Sequence, residues 1–565
     1  MTALPPVSRG PLPWQGPLAE AMAEALPRLY GVAPDPLLSE LIGALTAALE
    51  RGELELALQG PPPAGVSTEA WPTGHRTALQ RSGLASALDE PGEPPSPLVL
   101  TAAGGIAWRR WHEQQESVLA DLQERALAPR ADLIPAAAAH EAVLEASRRH
   151  GLDQQQQRAV ESLLRHRLVL LGGGPGTGKT FTVVAMLAAA ISLNPHLRVR
   201  LAAPTGKAAS RLRQAIEERC GTMPEPLATS LRALPCSTLH RLLESRGDRF
   251  GRNRDHPLAV DLLVIDEVSM LDLNLATALL AALPQNAQLL LVGDPAQLPP
   301  VGAGAILAEL HHPQRWRSLG AAAVELSSTY RNQGAIAELA TLLRQGDRSA
   351  ALERLQRLTP GENLSWLRCP TLRLPLELEQ RMRAQQQDLR RLAEAFNAID
   401  PAHAEALLRQ LEAFMVLSPL RRGPWGADDL NRRLLGDVSS RGPSCWPPGT
   451  PLICTRNQQE SDLSNGEVGV VVQGGAVLFP GEGGSAGGSP KLIHPSRLEG
   501  AAPAFALTIH KAQGSEYSTV CLVMPATNHA DGRALYTGLT RARQACVLIT
   551  PEQTSWLPER FAASG

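Results

Sequence analysis

Gly173, Gly174, Pro175, Gly176, Thr177, Gly178, Lys179 and Thr180 follow one another without a break, between the aliphatic run "LVLL" and the stretch "FTVVAML". Glycines free the backbone to curl so that successive N–H groups point inward, a cradle suited to phosphate oxygens. Val183, Leu187 and Ile191 recur every four residues, so a helix follows and adds its positive N-terminal dipole. In the template Gly-x-x-x-x-Gly-Lys-Thr, Lys179 neutralises the β- and γ-phosphates and the Thr180 hydroxyl holds Mg²⁺. A second run, "LLVIDEVSM", ends its aliphatic stretch in Asp266 and Glu267. Asp266 suits Mg²⁺, directly or through water, and Glu267 suits a base or positioner for the attacking water. Paired acids at a strand tip are common on surfaces; downstream of a phosphate loop the pair is informative. Ser269 fits either a link to neighbouring loops or a helix cap. These residues predict hydrolysis of a nucleoside triphosphate and leave its use open, because the loop serves many functions.

The elements that position this chemistry are short and aliphatic. "LVLL", "VRLAAP", "LLVIDE" and "QLLLVGD" each read as strands buried on both faces, as in a parallel sheet, alternating with helical sequence over 151–325. A second α/β unit is expected to start near "VELSSTY", run over 326–440 and resume over 501–565. Residues 441–500 differ in texture, with short strands and frequent turns that predict a small β-barrel insert, its glycine-rich "GEGGSAGGSP" a hairpin tip. In the first 120 residues, Leu41, Ile42, Leu45 and Leu49 share a helical face, Leu54, Leu56 and Leu58 alternate as in a strand, and "LVL" with "IAWRRW" predicts a hairpin, with connecting helices over 121–150.

Bulk properties narrow the class. With 565 residues, 44% hydrophobic and 19% charged, the chain is globular and long enough for several domains. A formal net charge of −2 announces no nucleic acid, although a local basic groove would suffice. No run of about 18 apolar residues and no secretory pattern is present, so no membrane span and a cytoplasmic location are expected. The seven cysteines form no C-x-x-C pair, which argues against a disulfide framework or zinc site.

Read in order, the remaining stretches resemble the motif set of the superfamily 1 helicases. "LDQQQQRAV" resembles the glutamine motif, which implies that Gln156 reads adenine. "AAPTGKAASRL" (202–212) and "CSTLHRLL" (236–243) resemble segments that touch single-stranded DNA, through Pro204, Thr205 and His240. "LLLVGDPAQLPPVGAG" (289–304) resembles the third motif, with Gln297 sensing the γ-phosphate. "LSSTYRNQGAI" (326–336) resembles the fourth, with Tyr330 on adenine and Arg331 on the phosphates. "ALTIHKAQGSEY" (506–517) resembles the fifth, with Thr508 and His510 on DNA and Glu516 on the ribose. "LYTGLTRARQACVLI" (535–549) resembles the sixth, with Arg541 as arginine finger.

"HRLLESRGDRFGRNRDHPLAVDLLVIDEVSMLD", "FMVLSPLRRGPWGADDLN", "NGEVGVVV" and the N-terminal segments narrow the likeness to the RecD family, the α subunit of exodeoxyribonuclease V. The resemblance spans nearly the whole chain. It implies two RecA-like parallel-sheet domains, an α+β N-terminal partner-docking domain (1–120) and an SH3-like insert. It also implies ATP and Mg²⁺ as cofactors, and 5′→3′ translocation on single-stranded or duplex-end DNA in double-strand break repair and recombination. RecB-like and RecC-like partners are implied, with any DNA cutting done by a partner chain. The longer, stand-alone RecD-like group carries helix–hairpin–helix sequence for which this chain has no obvious room. Alternatives are a stand-alone or relaxase-associated helicase, or an ATP-regulated interaction subunit. Intact Glu267 and Arg541 argue against the last. Outside their motifs His240 and His510 read as ordinary loop or core histidines, and Trp108 and Trp111 read better as packing than as base stacking. "RWR" at 315–317 and "RFGRNR" at 249–254 fit phosphate contacts and solvated loops equally.

Overall fold

The computed structural model describes residues 16–63, 65–87, 95–128, 134–247, 249–328, 334–370, 373–458, 460–461, 463–481, 490–525 and 532–552. Tyr330 and Arg331, and most of the glycine-rich tip, lie outside them. The chain divides into two compact units.

The first unit joins the chain up to Leu122 with Met270–Leu280 and Pro299–Glu309. Its helix Pro36–Glu50 starts where the Asp35 carboxylate accepts the Leu37 and Leu38 N–H groups, an N-cap that orients the chain. Leu41, Ile42 and Leu45 are fully buried. They cover a four-stranded sheet of β1 (Glu55–Ala57), β2 (Ala85–Ser86), β3 (Leu98–Leu100) and β4 (Gly105–Trp108), in the order β1-β4-β3-β2. The predicted hairpin is β3–β4, turned at Gly104 with φ +80°. The strand stops at Trp108, because Arg109 opens the helix Arg109–Leu127. Trp111 therefore lies on a helix rather than on the strand, edge-to-face with buried Trp108 at 6.2 Å. Trp108 lies in the core, and half-buried Trp111 packs against it. The two later segments are tied in by Gln114 Nε2 donating to Thr277 Oγ1 (2.8 Å) and Gly304 N donating to Gly52 O (3.1 Å).

The second unit carries two parallel sheets. The first contains β5 (Leu168–Gly173), β6 (Val199–Ala203) and β7 (Cys236–Thr238). A two-stranded hairpin of β8 (Ser245–Arg246) and β9 (Arg249–Phe250) follows, and then the sheet resumes with β10 (Leu262–Ile265), β11 (Gln288–Gly293) and β12 (Ala323–Leu326). The order is β12-β5-β11-β10-β6-β7, with every pairing parallel. β5, β10 and β11 are buried along their whole length, which is why they read as unbroken aliphatic runs. "VELSSTY" was expected to open the second unit. Instead Ala323–Leu326 pairs with Leu170–Gly173 and closes the edge of the first sheet.

The second sheet contains β13 (Leu364–Cys369) and β14 (Phe414–Ser418). Between β14 and the rest lies the insert: β15 (Pro451–Cys454), β16 (Val468–Val471), β17 (Val477–Phe479), β18 (Lys491–Ile493) and β19 (Ala501–Pro503). β20 (Ala506–Thr508), β21 (Tyr517–Val523) and β22 (Ala542–Pro551) complete the parallel order β13-β22-β21-β14-β20. With helices packed on both sheets, this is a pair of RecA-like domains. The insert is antiparallel throughout, in the order β18-β17-β16-β15-β19, with no pairing between its outer strands among the described residues. It is a five-stranded sheet around Leu452, Val471 and Phe479.

Candidate nucleotide and nucleic-acid site

Lys179, Thr180, Pro204, Thr205, His240, Asp266, Glu267 and Gln297 all lie beyond the C-terminal end of a parallel strand, the edge at which open α/β sheets bind ligands. The phosphate loop follows β5. Gly176 (φ +74°) and Gly178 (φ +82°) take left-handed conformations that only glycine adopts cheaply, and Gly178 caps the helix Lys179–Leu193. Lys179 Nζ donates to the carbonyl oxygens of Gly173 (2.6 Å) and Gly174 (2.9 Å), so its charge is held at the loop's own mouth. Thr177 Oγ1 donates to Gly174 O (2.8 Å), pinning the turn through Pro175 and Gly176. Thr180 stands in the first turn of the helix, half-buried.

Asp266 and Glu267 follow β10. Glu267 has φ +55°, a strained conformation for a non-glycine residue, of the kind concentrated at functional sites. Its N–H donates to Asp266 Oδ1 (2.9 Å). Burial pushes the Asp266 carboxyl up to about 6, with the Glu267 charge adding to it, against the pull of the Glu267 N–H, Lys179 and Arg211. Among the described residues, two further buried oxygens have no hydrogen-bond partner, Ser269 Oγ and Gln297 Oε1. The cap reading of Ser269 is therefore not met. Unsatisfied polar groups beside a phosphate loop are what a missing polar ligand would leave, so the residues present fit a bound nucleotide with its metal.

The second sheet reaches the loop through side chains that local sequence did not single out. Tyr536 Oη donates to the fully buried Asp294 Oδ2 (2.7 Å). Burial and then Asp294 hold the Tyr536 phenol well above its ordinary range, so it remains a donor. A Cβ on Gly174 would lie 3.3 Å from Tyr536 Oη and 3.4 Å from Arg344 Nη1, so both side chains of the second sheet stand close against the loop. Arg344 is ion-paired with Glu325, and Glu325 also faces His311 (3.5 Å). Arg541 is buried, and its three nitrogens reach Thr537 O (3.1 Å), Ser515 O (3.3 Å) and Thr540 Oγ1 (3.3 Å).

Two of the expected nucleotide contacts are engaged within the chain. Gln156 lies in a capping box, its Oε1 accepting the Asp153 N–H (3.1 Å), so its carbonyl end is committed to its own helix. Its neighbour Gln155 instead bonds Ser327, both N–H and hydroxyl, and so ties the glutamine segment to the start of the Tyr330–Arg331 stretch. Four glutamines in a row gave no signal to separate these roles. Glu516 is not left open for a ribose: it pairs with Arg211 (2.5 Å), whose Nη1 also reaches Gly514 O. Burial works against the Arg211 charge, and Glu516, Glu267 and Asp266 outweigh it.

The DNA candidates cluster on one edge. Pro204 and Thr205 follow β6, His240 follows β7, and Ala203 lies opposite Thr238 in register. Thr205 Oγ1 caps the helix Gly206–Cys220 by accepting the Ala208 N–H (3.2 Å), and a Cβ on Gly514 would lie 3.2 Å from that oxygen. Loops of both sheets thus meet at Thr205. Thr508 ends β20 and His510 opens the turn after it, both half-buried. Among the described residues no group of three or more His, Cys, Asp or Glu side chains is placed to hold a metal ion, and no helix is long and apolar enough to cross a membrane.

A phosphate loop on one RecA-like sheet, facing buried polar groups of a second, defines a two-domain P-loop nucleotide hydrolase. Residues 156–303 match the AAA domain family and residues 503–549 the UvrD-like helicase C-terminal domain. The RecBCD enzyme subunit RecD of Mycolicibacterium smegmatis is 35% identical over 82% of this chain and 80% of its own length. RecD of Haemophilus influenzae is 30% identical over 70% and 69%. The ATP-dependent RecD2 DNA helicase of Deinococcus radiodurans is 34% identical over 70% of this chain and 48% of its own length. The chain belongs to the RecD family of superfamily 1 ATP-dependent DNA helicases.

Proposed function

We propose that this chain is the motor subunit of an exodeoxyribonuclease V-type complex, a cytoplasmic 5′→3′ translocase on single-stranded DNA that acts in double-strand break repair. The observation that carries the motor reading is the hydrogen bond between Asp294 and Tyr536 beside Gly174, where both RecA-like domains meet the phosphate loop. ATP with Mg²⁺ supplies the phosphoryl group and the charge neutralisation. Lys179 and the helix N-terminus hold the phosphates, and Thr180 and Asp266 hold the metal. Glu267 orients the attacking water, and Gln297 offers its buried amide to the terminal phosphate. Arg541 approaches from the second domain and, with Arg331, stabilises charge that develops on the phosphoryl group. Cleft closure is favoured only while that charge is present, so hydrolysis releases it. Thr205, His240, Thr508 and His510, on loops of both sheets, grip the strand alternately through sequence-independent backbone contacts.

The relatives named as RecBCD subunits support RecB-like and RecC-like partners, with the first 120 residues as the docking face. Affinity capture of the native chain, with co-purifying subunits identified by mass, tests this. RecB-like and RecC-like chains are expected. A chain recovered alone that unwinds duplex DNA overturns the complex and leaves the motor. Polarity is read from single-strand tails of either sense, with stimulation expected only where the chain can move 5′→3′.

A further inference from the structure

We infer that Thr537 is a positioning residue that couples γ-phosphate sensing at Gln297 to the setting of Arg541, an inference that rests on the ATP-site roles proposed above. Thr537 is fully buried on the helix Gly532–Leu539 and uses both of its oxygens. Its hydroxyl Oγ1 accepts the N–H of Leu298 (2.8 Å), from the loop after β11. Its carbonyl oxygen accepts Arg541 Nε (3.1 Å) and the Thr540 hydroxyl (3.0 Å). That carbonyl lies in the last helical turn, where the backbone N–H of Arg541 bonds Gly538 instead (3.2 Å), so a side chain takes its place.

The peptide unit joining Gln297 to Leu298 is planar, so the backbone of Gln297 cannot turn without turning the Leu298 N–H. Leu298 is held on its other side as well, because Gln513 Nε2 donates to its carbonyl (2.9 Å). Gln297 itself is buried, and its Oε1 has no partner among the described residues. Engagement of that amide therefore acts on one rigid peptide, whose N–H is bonded to the residue that holds the Arg541 guanidinium. Sensor and finger are two hydrogen bonds apart through a single threonine.

The test compares Thr537→Val, which exchanges the hydroxyl for a methyl, with Thr537→Ser, which keeps it. In Thr537→Val, kcat for DNA-stimulated ATP hydrolysis falls about tenfold to a hundredfold, as expected for a displaced catalytic group, while nucleotide affinity stays within about twofold. Thr537→Ser restores kcat to within about threefold. In an Arg541→Ala background, Thr537→Val adds less than about twofold, the non-additivity of residues acting as one unit. Wild-type kcat in Thr537→Val, or an equal further loss in the Arg541→Ala background, overturns the coupling. Where thermal unfolding shows that the valine variant does not fold, Thr537→Ala, which leaves room for a water at the Leu298 N–H, carries the same comparison. Full activity in Arg541→Ala and Gln297→Ala would instead overturn the site assignment itself, and the coupling with it.

Discussion

On the first sheet, Lys179 rests on the carbonyls of its own loop, and the buried oxygens of Gln297 and Ser269 bond nothing among the described residues. On the second, each nitrogen of Arg541 is already hydrogen-bonded within its own domain. On the proposed roles, the first half of the cleft gains bonds when a nucleotide arrives, and the second gives bonds up. A buried hydrogen bond is worth about 1 kcal/mol net, and more when one partner is charged. Releasing Arg541 therefore needs a compensating charge, which a terminal phosphate provides. Binding and hydrolysis are in this way assigned to different domains, and variants of the two halves should fail differently.

The largest effect is expected for Lys179→Gln, which removes the only side-chain charge in the phosphate loop. Nucleotide binding and DNA-stimulated hydrolysis are both lost, as measured by nucleotide titration and phosphate release. Retained turnover would break the assignment of binding to the first sheet. Arg541→Ala comes next: kcat falls about 10³–10⁵-fold, the range of arginine fingers, while nucleotide affinity is kept. Equal loss of affinity would erase the distinction between the halves.

A smaller effect is expected for Glu516→Gln. It leaves the partly buried Arg211 without its carboxylate, 24% and 34% of the two side chains being exposed, and costs about 2 kcal/mol in denaturant unfolding. The KM for ATP should not change, since Glu516 serves Arg211. A raised KM with unchanged stability would return Glu516 to the ribose.

The same contrast separates what was legible in the sequence from what was not. The phosphate loop is local: glycine spacing, the aliphatic strand before it and the lysine after it specify the geometry within ten residues. Asp266, at the tip of an aliphatic run, was legible for the same reason. The second half is built from pairs distant in the chain, Asp294 with Tyr536, Leu298 with Thr537, Arg211 with Glu516, and each member alone is an ordinary residue on a helix or loop. Gln155 and Gln156 show the limit within one motif, because helix capping engages one amide while its neighbour bonds Ser327. Edge strands are similarly ambiguous: "AVEL" is as plausible opening a sheet as closing one, and only its pairing with Leu170–Gly173 decides. The segments Met270–Leu280 and Pro299–Glu309 follow the Asp266–Glu267 and Gln297 stretches in sequence yet belong to the N-terminal unit, so removing the first 120 residues strips their packing.

The smallest expected effect concerns Lys207, beside Arg211 on the helix Gly206–Cys220 and 5.1 Å from the ring centre of Tyr517. Burial lowers its ammonium to about 8, Glu412 opposes this, Arg211 and Arg543 add to it, and Glu516 opposes it. In the unfolded chain the same group titrates near ~10.4. Between these values the unfolded chain binds more protons than the folded one, so stability rises with pH from about 8 to about 10 and carries the full penalty below 8. Lys207→Met removes the penalty and forfeits a cation–π contact worth about 1 kcal/mol. The variant should therefore be more stable than the parent by about 1–2 kcal/mol at pH 7, with the gain fading as pH approaches 10. Denaturant unfolding at pH 7 and 10 measures it. A loss of stability at pH 7 would mean that Glu412 and Glu516 hold the lysine as a paired cation, and that the interdomain charge cluster is organised around Lys207 rather than around Arg211.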